Sequence, residues 1–180
     1  MTRALVPLAD GVEEMEAVIL IDTLRRAGWQ VVSAAITGLT VKASRGVHLV
    51  ADLAWGAADV DGFDVLALPG GAEGTSALMG DARVLEAVRR FVKAGKRVAA
   101  ICAAPLVLQA AGVLAGCRAT CHPGVRHKLH ATAWQPDRVV TDGCITTSQG
   151  PGTAFEFALE LIRLYDGAEK AAEVGRGMVL

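Results

Sequence analysis

The sequence has few aromatic residues and no excess of charge of either sign. Phe, Trp and Tyr make up 4% of its 180 residues, and 18 Lys and Arg residues face 19 Asp and Glu residues. Proteins that bind nucleic acid typically present a basic surface, often with aromatic residues among the basic ones. The composition therefore argues against a nucleic acid as the partner.

Long apolar runs are also absent. No stretch approaches the roughly 18 residues that a membrane helix needs, and the first residues do not show the charged leader and cleavage site of a secretory signal. We therefore expect a cytoplasmic protein with no membrane partner. Hydrophobic residues nevertheless make up 52% of the chain, enough for one compact core, and we expect a single domain over residues 1–180.

Paired cysteines are missing as well. The four cysteines are Cys102, Cys117, Cys121 and Cys144. They form neither a C-x-x-C pair nor a dense disulfide framework, so we expect free thiols. The cysteines and histidines between residues 117 and 127 also lack the paired spacing of a structural zinc site, which argues against a bound metal.

Short β-branched runs alternate with longer helical patterns along the chain. This alternation is typical of an α/β fold with a mostly parallel, covered sheet. Helices are predicted at residues 13–27, after residue 71, after residue 104, around Phe155, Leu159 and Ile162, and at 168–179. Strands are predicted at residues 5–9, 31–36, 64–68, 97–101, near 118–121 and around 139–145, with an edge hairpin of residues 39–44 and 47–51.

Cys102 lies between a predicted buried strand and the helix that follows it. In open parallel sheets, ligands bind at the carboxyl ends of the strands. A cysteine at a helix N-terminus is stabilised as the thiolate, which lowers its pKa, so Cys102 is predicted to be nucleophilic and easily oxidised. The alternative is a small apolar residue that fills the corner between strand and helix.

Glu16 is an acidic residue on an apolar helical face. Its neighbours three, four and eight positions along are Ile19, Leu20 and Leu24. Burial on this face would raise the pKa of the carboxyl group, as an acid/base residue requires. The alternative is an acidic residue that complements the helix dipole. Glu13 and Glu14 are expected to be more solvated.

His122 and two backbone N–H groups complete the candidate site. His122 follows a predicted strand and precedes a proline, which restricts it to extended geometry and aims its ring at the crevice. His127 and His130 are expected at the surface. The N–H groups of Gly71 and Ala103 are predicted to hold an oxyanion.

Four motifs together resemble the DJ-1/ThiJ/PfpI superfamily, and most closely its DJ-1/YajL branch. They are DGVEEME at residues 10–16, LPGG at 68–71, AAICAAP at 99–105 and TSQGPGT at 147–153. The resemblance spans nearly the whole chain. It implies a flavodoxin-like three-layer sandwich that assembles as a homodimer.

The resemblance also implies roles for individual residues. Cys102 would be the nucleophile, Glu16 its hydrogen-bonded partner and His122 an acid/base. The same resemblance implies that Arg26 and Arg45 approach the mouth of the pocket and bind anions. The chain departs from some relatives, with Ala104 in place of a glycine and no cysteine in residues 41–45.

The activity implied by the resemblance is cofactor-independent and depends on the cysteine. Its substrates would be reactive dicarbonyls such as methylglyoxal, which is converted to lactate, or early glycation adducts, in protection against carbonyl and oxidative stress. Two alternatives are a redox-sensing chaperone, in which oxidation of Cys102 is the signal, and a Cys-His-Glu amidase or peptidase.

Overall fold

The computed structural model of the protein describes residues 1–130 and 132–180. Its six α-helices are α1 (Glu14–Arg26), α2 (Ala72–Gly80), α3 (Ala82–Lys93), α4 (Pro105–Ala110), α5 (Ala154–Asp166) and α6 (Ala168–Gly177). Its strands are β1 (Arg3–Leu8), β2 (Gln30–Ala35), β3 (Thr40–Lys42), β4 (His48–Val50), β5 (Leu53–Ala54), β6 (Val65–Leu68), β7 (Arg97–Ile101), β8 (Arg118–Ala119), β9 (Ala133–Trp134), β10 (Val139–Asp142) and β11 (Ile145–Ser148). Within these described residues, no helix combines the length and apolar character needed to cross a membrane.

Seven strands form the central sheet, in the order β10-β11-β7-β6-β1-β2-β5. The β10–β11 pair is antiparallel and the other pairs are parallel. The predicted α/β class with a mostly parallel sheet is therefore confirmed. The predicted hairpin around Arg45 and Gly46 is also present, but β3 and β4 form a two-stranded sheet of their own instead of an edge of the central sheet.

Helices cover both faces of the central sheet. One hydrophobic cluster joins α1, α5 and α6 to side chains such as Val6 and Ile101. The other joins α2, α3 and α4 to side chains such as Leu5 and Val98. Neighbouring residues of a strand point to opposite faces, which is why the buried strands read as nearly continuous apolar runs. The result is a three-layer sandwich with the sheet in the middle.

One helix of the sequence prediction is divided in the structure. The single helix expected after residue 71 is two helices, because the Asp81 carboxylate caps α3 by accepting a hydrogen bond from the N–H of Arg83 at 2.8 Å. The helix predicted around Phe155, Leu159 and Ile162 is α5, in which Phe155 is 37% exposed and Phe157 is buried.

Candidate active site

The carboxyl ends of the central strands surround a cavity of about 370 Å³. Segments that follow β1, β6, β7 and β11 all reach it, as expected for an open parallel sheet. Its lining includes Glu13, Arg45, Gly71, Cys102, Ala103 and His122. The fold therefore brings five of the seven predicted site residues, all except Glu16 and Arg26, to one cavity wall.

Cys102 occupies a sharp bend between β7 and α4. Its backbone φ is +64°, a left-handed conformation that is costly for a residue with a side chain. Hydrogen bonds hold the bend on both sides: the Cys102 N–H donates to the Ser148 carbonyl at 3.0 Å, and the His122 N–H donates to the Cys102 carbonyl at 2.8 Å. The side chain is half-buried and reaches the cavity.

Gly70 and Gly71 bring backbone close to the cysteine. A Cβ added at Gly70 would lie 2.7 Å from the Cys102 Cβ and 2.9 Å from Glu16 Oε2, so this position has no room for a side chain. Gly71 has a φ of +92°, which favours glycine. The N–H groups of Gly71 and Ala103 face the Cys102 sulfur and act to lower its pKa.

Glu16 lies beneath this bend with no exposed surface. The Glu13 carboxylate caps the helix by accepting a hydrogen bond from the Glu16 N–H at 2.8 Å. Glu16 Oε2 accepts a hydrogen bond from the Gly70 N–H at 2.7 Å. Its other oxygen, Oε1, has no well-formed hydrogen bond among the described residues, and the carboxyl group lies against the Cys102 thiol.

The protonation of Glu16 and Cys102 is coupled. Burial raises the pKa of Glu16 to about 7, as the sequence predicted. Burial and the adjacent Glu16 carboxylate raise the pKa of Cys102 to about 12. The prediction of a lowered cysteine pKa is therefore wrong while Glu16 is charged, because it considered the helix N-terminus and omitted burial and the like charge. Near neutral pH the two groups together lose one proton and keep the other.

His122 lies on the cavity wall and is exposed to solvent. It begins the 3-10 helix Pro123–Lys128, and its Nδ1 accepts a hydrogen bond from the Gly124 N–H at 3.0 Å. In the described part of the chain, the ring makes no hydrogen bond to the Cys102 sulfur. Nδ1 is therefore occupied as an acceptor, and Nε2 is the nitrogen left to exchange protons with a bound molecule.

Arg45 lies at the tip of the β3–β4 hairpin and lines the cavity, where it was expected. Glu14 holds this tip in place. Its carboxylate accepts hydrogen bonds from the Ser44 hydroxyl at 2.9 Å and from the Arg45 N–H at 2.9 Å. Glu14 is buried, so the expectation that it is solvated is wrong. Its partners are about 30 residues away in sequence, and no local pattern indicates them.

Arg26 does not line the cavity. It lies in the last turn of α1, ten residues beyond Glu16, which places it about 15 Å along the helix from the site. There it forms an ion pair with Asp22 at 2.6 Å. The expectation that Arg26 approaches the pocket mouth is therefore wrong for the single chain, because α1 runs away from the cavity.

The cysteines are free thiols, as predicted. Over residues 1–130 and 132–180, no group of three or more His, Cys, Asp or Glu side chains has the arrangement of a metal site. His127 and His130 are exposed, which confirms their expected surface positions.

Comparison with known proteins gives the same family throughout. Protein dj-1beta of Drosophila melanogaster is 42% identical over 180 residues, which cover 98% of this chain and 96% of that protein. The crystal structure of Drosophila melanogaster DJ-1beta matches with a TM-score of 0.96 at 42% identity and covers 99% of this chain and 98% of that one. The flavodoxin-like sandwich implied by the sequence is therefore confirmed.

Two other relatives differ in length and description. Glutathione-independent glyoxalase DJR-1.2 of Caenorhabditis elegans is 39% identical over 160 residues, which cover 88% of this chain and 85% of that protein. Protein DJ-1 homolog B of Arabidopsis thaliana is 40% identical over 180 residues, and the match covers 99% of this chain but 41% of that protein. This chain thus spans about two fifths of the Arabidopsis relative. A model of the DJ-1/PfpI family matches residues 2–164, and the chain belongs to that family.

Proposed function

We propose that this protein is a cofactor-independent, cysteine-dependent enzyme that acts on reactive dicarbonyls or their early adducts. The observation that carries the proposal is the contact of a half-buried cysteine with a buried carboxyl group and two backbone N–H groups in one cavity. A nucleophile, a proton carrier and oxyanion donors are the parts that carbonyl addition requires.

The reactive form in this proposal carries the shared proton on Glu16 and the negative charge on Cys102. While Glu16 is charged, the shared proton stays on Cys102, so this form arises when the proton moves to Glu16 Oε1, which is buried and has no well-formed hydrogen bond among the described residues. The Gly71 and Ala103 N–H groups, which face the sulfur, then stabilise the negative charge on Cys102.

In the first step, the Cys102 thiolate attacks the aldehyde carbon of methylglyoxal and forms a hemithioacetal. The developing oxyanion faces the Gly71 and Ala103 N–H groups and takes a proton from Glu16 or His122. Glu16 or His122 then moves a proton from the aldehyde carbon to the neighbouring carbon through an enediol.

The second step releases the product. The proton shift leaves a thioester on Cys102, which water cleaves to lactate, and the thiol group is restored. The aldehyde carbon is oxidised and the ketone carbon is reduced within one molecule, so the reaction needs no external oxidant, reductant or cofactor. Arg45 at the cavity wall supplies a positive charge for the carboxylate product.

A relative supports this reaction class, because the Caenorhabditis elegans protein is described as a glutathione-independent glyoxalase. The test is incubation with methylglyoxal in the absence of any thiol cofactor, with lactate measured by time. We expect lactate from the wild type and none above background from Cys102→Ser. Equal lactate production by the two proteins would refute the proposal.

A redox-sensing chaperone is the second candidate, and one observation favours it. The N–H groups that face the sulfur would also stabilise the oxygens of an oxidised Cys102. Stoichiometric peroxide should then add oxygen to Cys102 before the other thiols, as read by intact mass and peptide mapping. The amidase alternative has less support, because the His122 ring is hydrogen-bonded to the Gly124 N–H instead of to the sulfur.

A further inference from the structure

Two cysteines outside the cavity, Cys117 and Cys144, have no part in the proposed mechanism. Cys117 comes directly before β8, and Cys144 comes directly before β11. Both are half-buried free thiols. They are far apart in sequence, so any relation between them depends on how β8 lies against the sheet.

Hydrogen bonds fix the alignment of the two segments. The Thr120 N–H donates to Thr147 Oγ1 at 2.9 Å, across a separation of 27 residues. Closer to Cys117, the Arg118 N–H donates to Asp142 Oδ2 at 2.8 Å. Asp142 is paired with Ile145 at the start of β11, so the chain near 118–120 runs in the same direction as β11.

This alignment places the two cysteines at corresponding positions of the two segments. Cys117 is three residues before Thr120, and Cys144 is three residues before Thr147. The hydrogen bond between Arg118, which follows Cys117, and Asp142, which is two residues before Cys144, places both cysteines at the same end of the two segments.

The packing of the two thiols agrees with this alignment. Both lie against the same hydrophobic cluster, the one beneath α3 and α4. Burial raises the pKa of the Cys117 thiol, and the Asp142 carboxylate and the Cys144 thiol raise it further. Each cysteine follows a glycine with a left-handed backbone, Gly116 or Gly143, so a turn adjoins each thiol.

We propose that Cys117 and Cys144 form a reversible intramolecular disulfide when the protein meets a hydroperoxide. One thiol takes an oxygen atom from the peroxide and becomes a sulfenic acid, and the first water leaves. The other thiol attacks this sulfur, forms the S–S bond and releases the second water. Two thiols are oxidised and one peroxide is reduced to two waters.

The disulfide would brace one wall of the active-site cavity. The loop that it closes, residues 117–144, carries His122 and Val125, which line the cavity. A cross-link that closes this loop reduces the conformational freedom of the unfolded chain. In the folded protein it joins the start of the loop covalently to the β10–β11 turn. The modification is therefore separate from oxidation of Cys102, and its formation does not depend on the dicarbonyl activity.

The test uses the Cys102→Ser variant, so that the cavity thiol does not react. The protein is treated with stoichiometric hydrogen peroxide and, separately, with diamide, then alkylated, digested and analysed by mass spectrometry. We expect linked peptides that contain Cys117 and Cys144, alkylated Cys121, and a loss of two titratable thiols per chain. The melting temperature should rise by on the order of 5 °C and return after reduction.

Single variants supply the controls in the same background. Cys121→Ser should leave the cross-link and the rise in melting temperature intact, whereas Cys117→Ser and Cys144→Ser should each abolish both. The proposal is overturned if neither oxidant links the pair. It is equally overturned if the cross-link joins two chains, if it involves Cys121, or if Cys117 and Cys144 accumulate sulfinic acid separately.

Discussion

Glu16 lies in the first turn of α1, fully buried, between the Gly70 N–H and the Cys102 thiol. Its burial raises its pKa to about 7, so the group changes charge in the range in which cells work. A carboxyl group with a pKa near the working pH can both take and give a proton, which a proton shift between adjacent carbons requires.

The raised pKa of Glu16 predicts how stability depends on pH. The native protein binds more protons than the unfolded chain between pH 4.5 and about 7, so the stabilising effect of neutral Glu16 is fully present below pH 4.5 and is lost as pH rises. We expect the free energy of unfolding of the wild type, relative to Glu16→Gln, to fall by about 3 kcal/mol from pH 4.5 to pH 8.

Urea titrations at several pH values measure this difference. Because other titrating groups are common to both proteins, they cancel in the comparison. The exposed Glu86 in α3 gives a matched control, since Glu86→Gln should stay parallel to the wild type at every pH. A constant difference between wild type and Glu16→Gln across this range would contradict the account.

The junction of β7 and α4 stores backbone strain at the nucleophile. A non-glycine residue at a φ of +64° costs about 1–2 kcal/mol, and a glycine there avoids most of this cost. We therefore predict that Cys102→Gly is more stable than Cys102→Ala by about 1 kcal/mol. Urea unfolding of the two variants is the measurement, and equal stability, or a more stable alanine variant, would show that the bend is unstrained.

The loop between β6 and α2 depends on the absence of a side chain at Gly70. An alanine there would press on the Cys102 Cβ and on the Ile101 carbonyl at 2.8 Å, both attached to rigid backbone. We expect Gly70→Ala to lose about 1–3 kcal/mol of stability and most of its lactate formation. Gly56→Ala, where an added Cβ meets none of the described residues within 4 Å, should stay within about 0.5 kcal/mol of the wild type.

The elements of the fold differ in how far the sequence predicts them. The strand before Cys102 and the apolar stripe around Glu16 are local patterns, and both led to correct positions. The break between α2 and α3 also had a local signal, because Asp81 is a typical N-cap residue. The raised pKa of Cys102 had no local signal in the sequence, because it depends on Glu16, a residue of a different segment that folding brings against the sulfur.

The whole molecule exposes apolar side chains on one side. Met15 and Val18 of α1 are 54% and 49% exposed, and Val50 of the neighbouring hairpin is 74% exposed. A groove of about 270 Å³ beside them is lined by Val18, Ile21 and Leu49 among others. Exposed apolar side chains that cluster in this way typically mark a protein interface, and we propose that a second copy of the chain covers them as a homodimer.

Light scattering tests this assembly. We expect twice the mass of one chain for the wild type and a shift towards the single-chain mass for Val18→Glu, because a buried charge without a partner is costly. Ala77→Glu adds the same charge at an exposed site on α2, in the opposite helical layer, and should leave the mass unchanged. A wild type with the mass of one chain would refute the dimer.

The central claim is that Cys102 and Glu16 share one proton and that Glu16 carries it during catalysis. Measuring the ultraviolet absorbance of the thiolate against pH, together with lactate formation, in wild type and Glu16→Gln tests it most directly. Because Glu16→Gln lacks the negative charge beside the sulfur, the account predicts that Cys102 ionises at lower pH in this variant. It also predicts that lactate formation falls by at least about 100-fold, because the proton carrier is lost. Full activity in Glu16→Gln, or ionisation of Cys102 at higher pH, would contradict it.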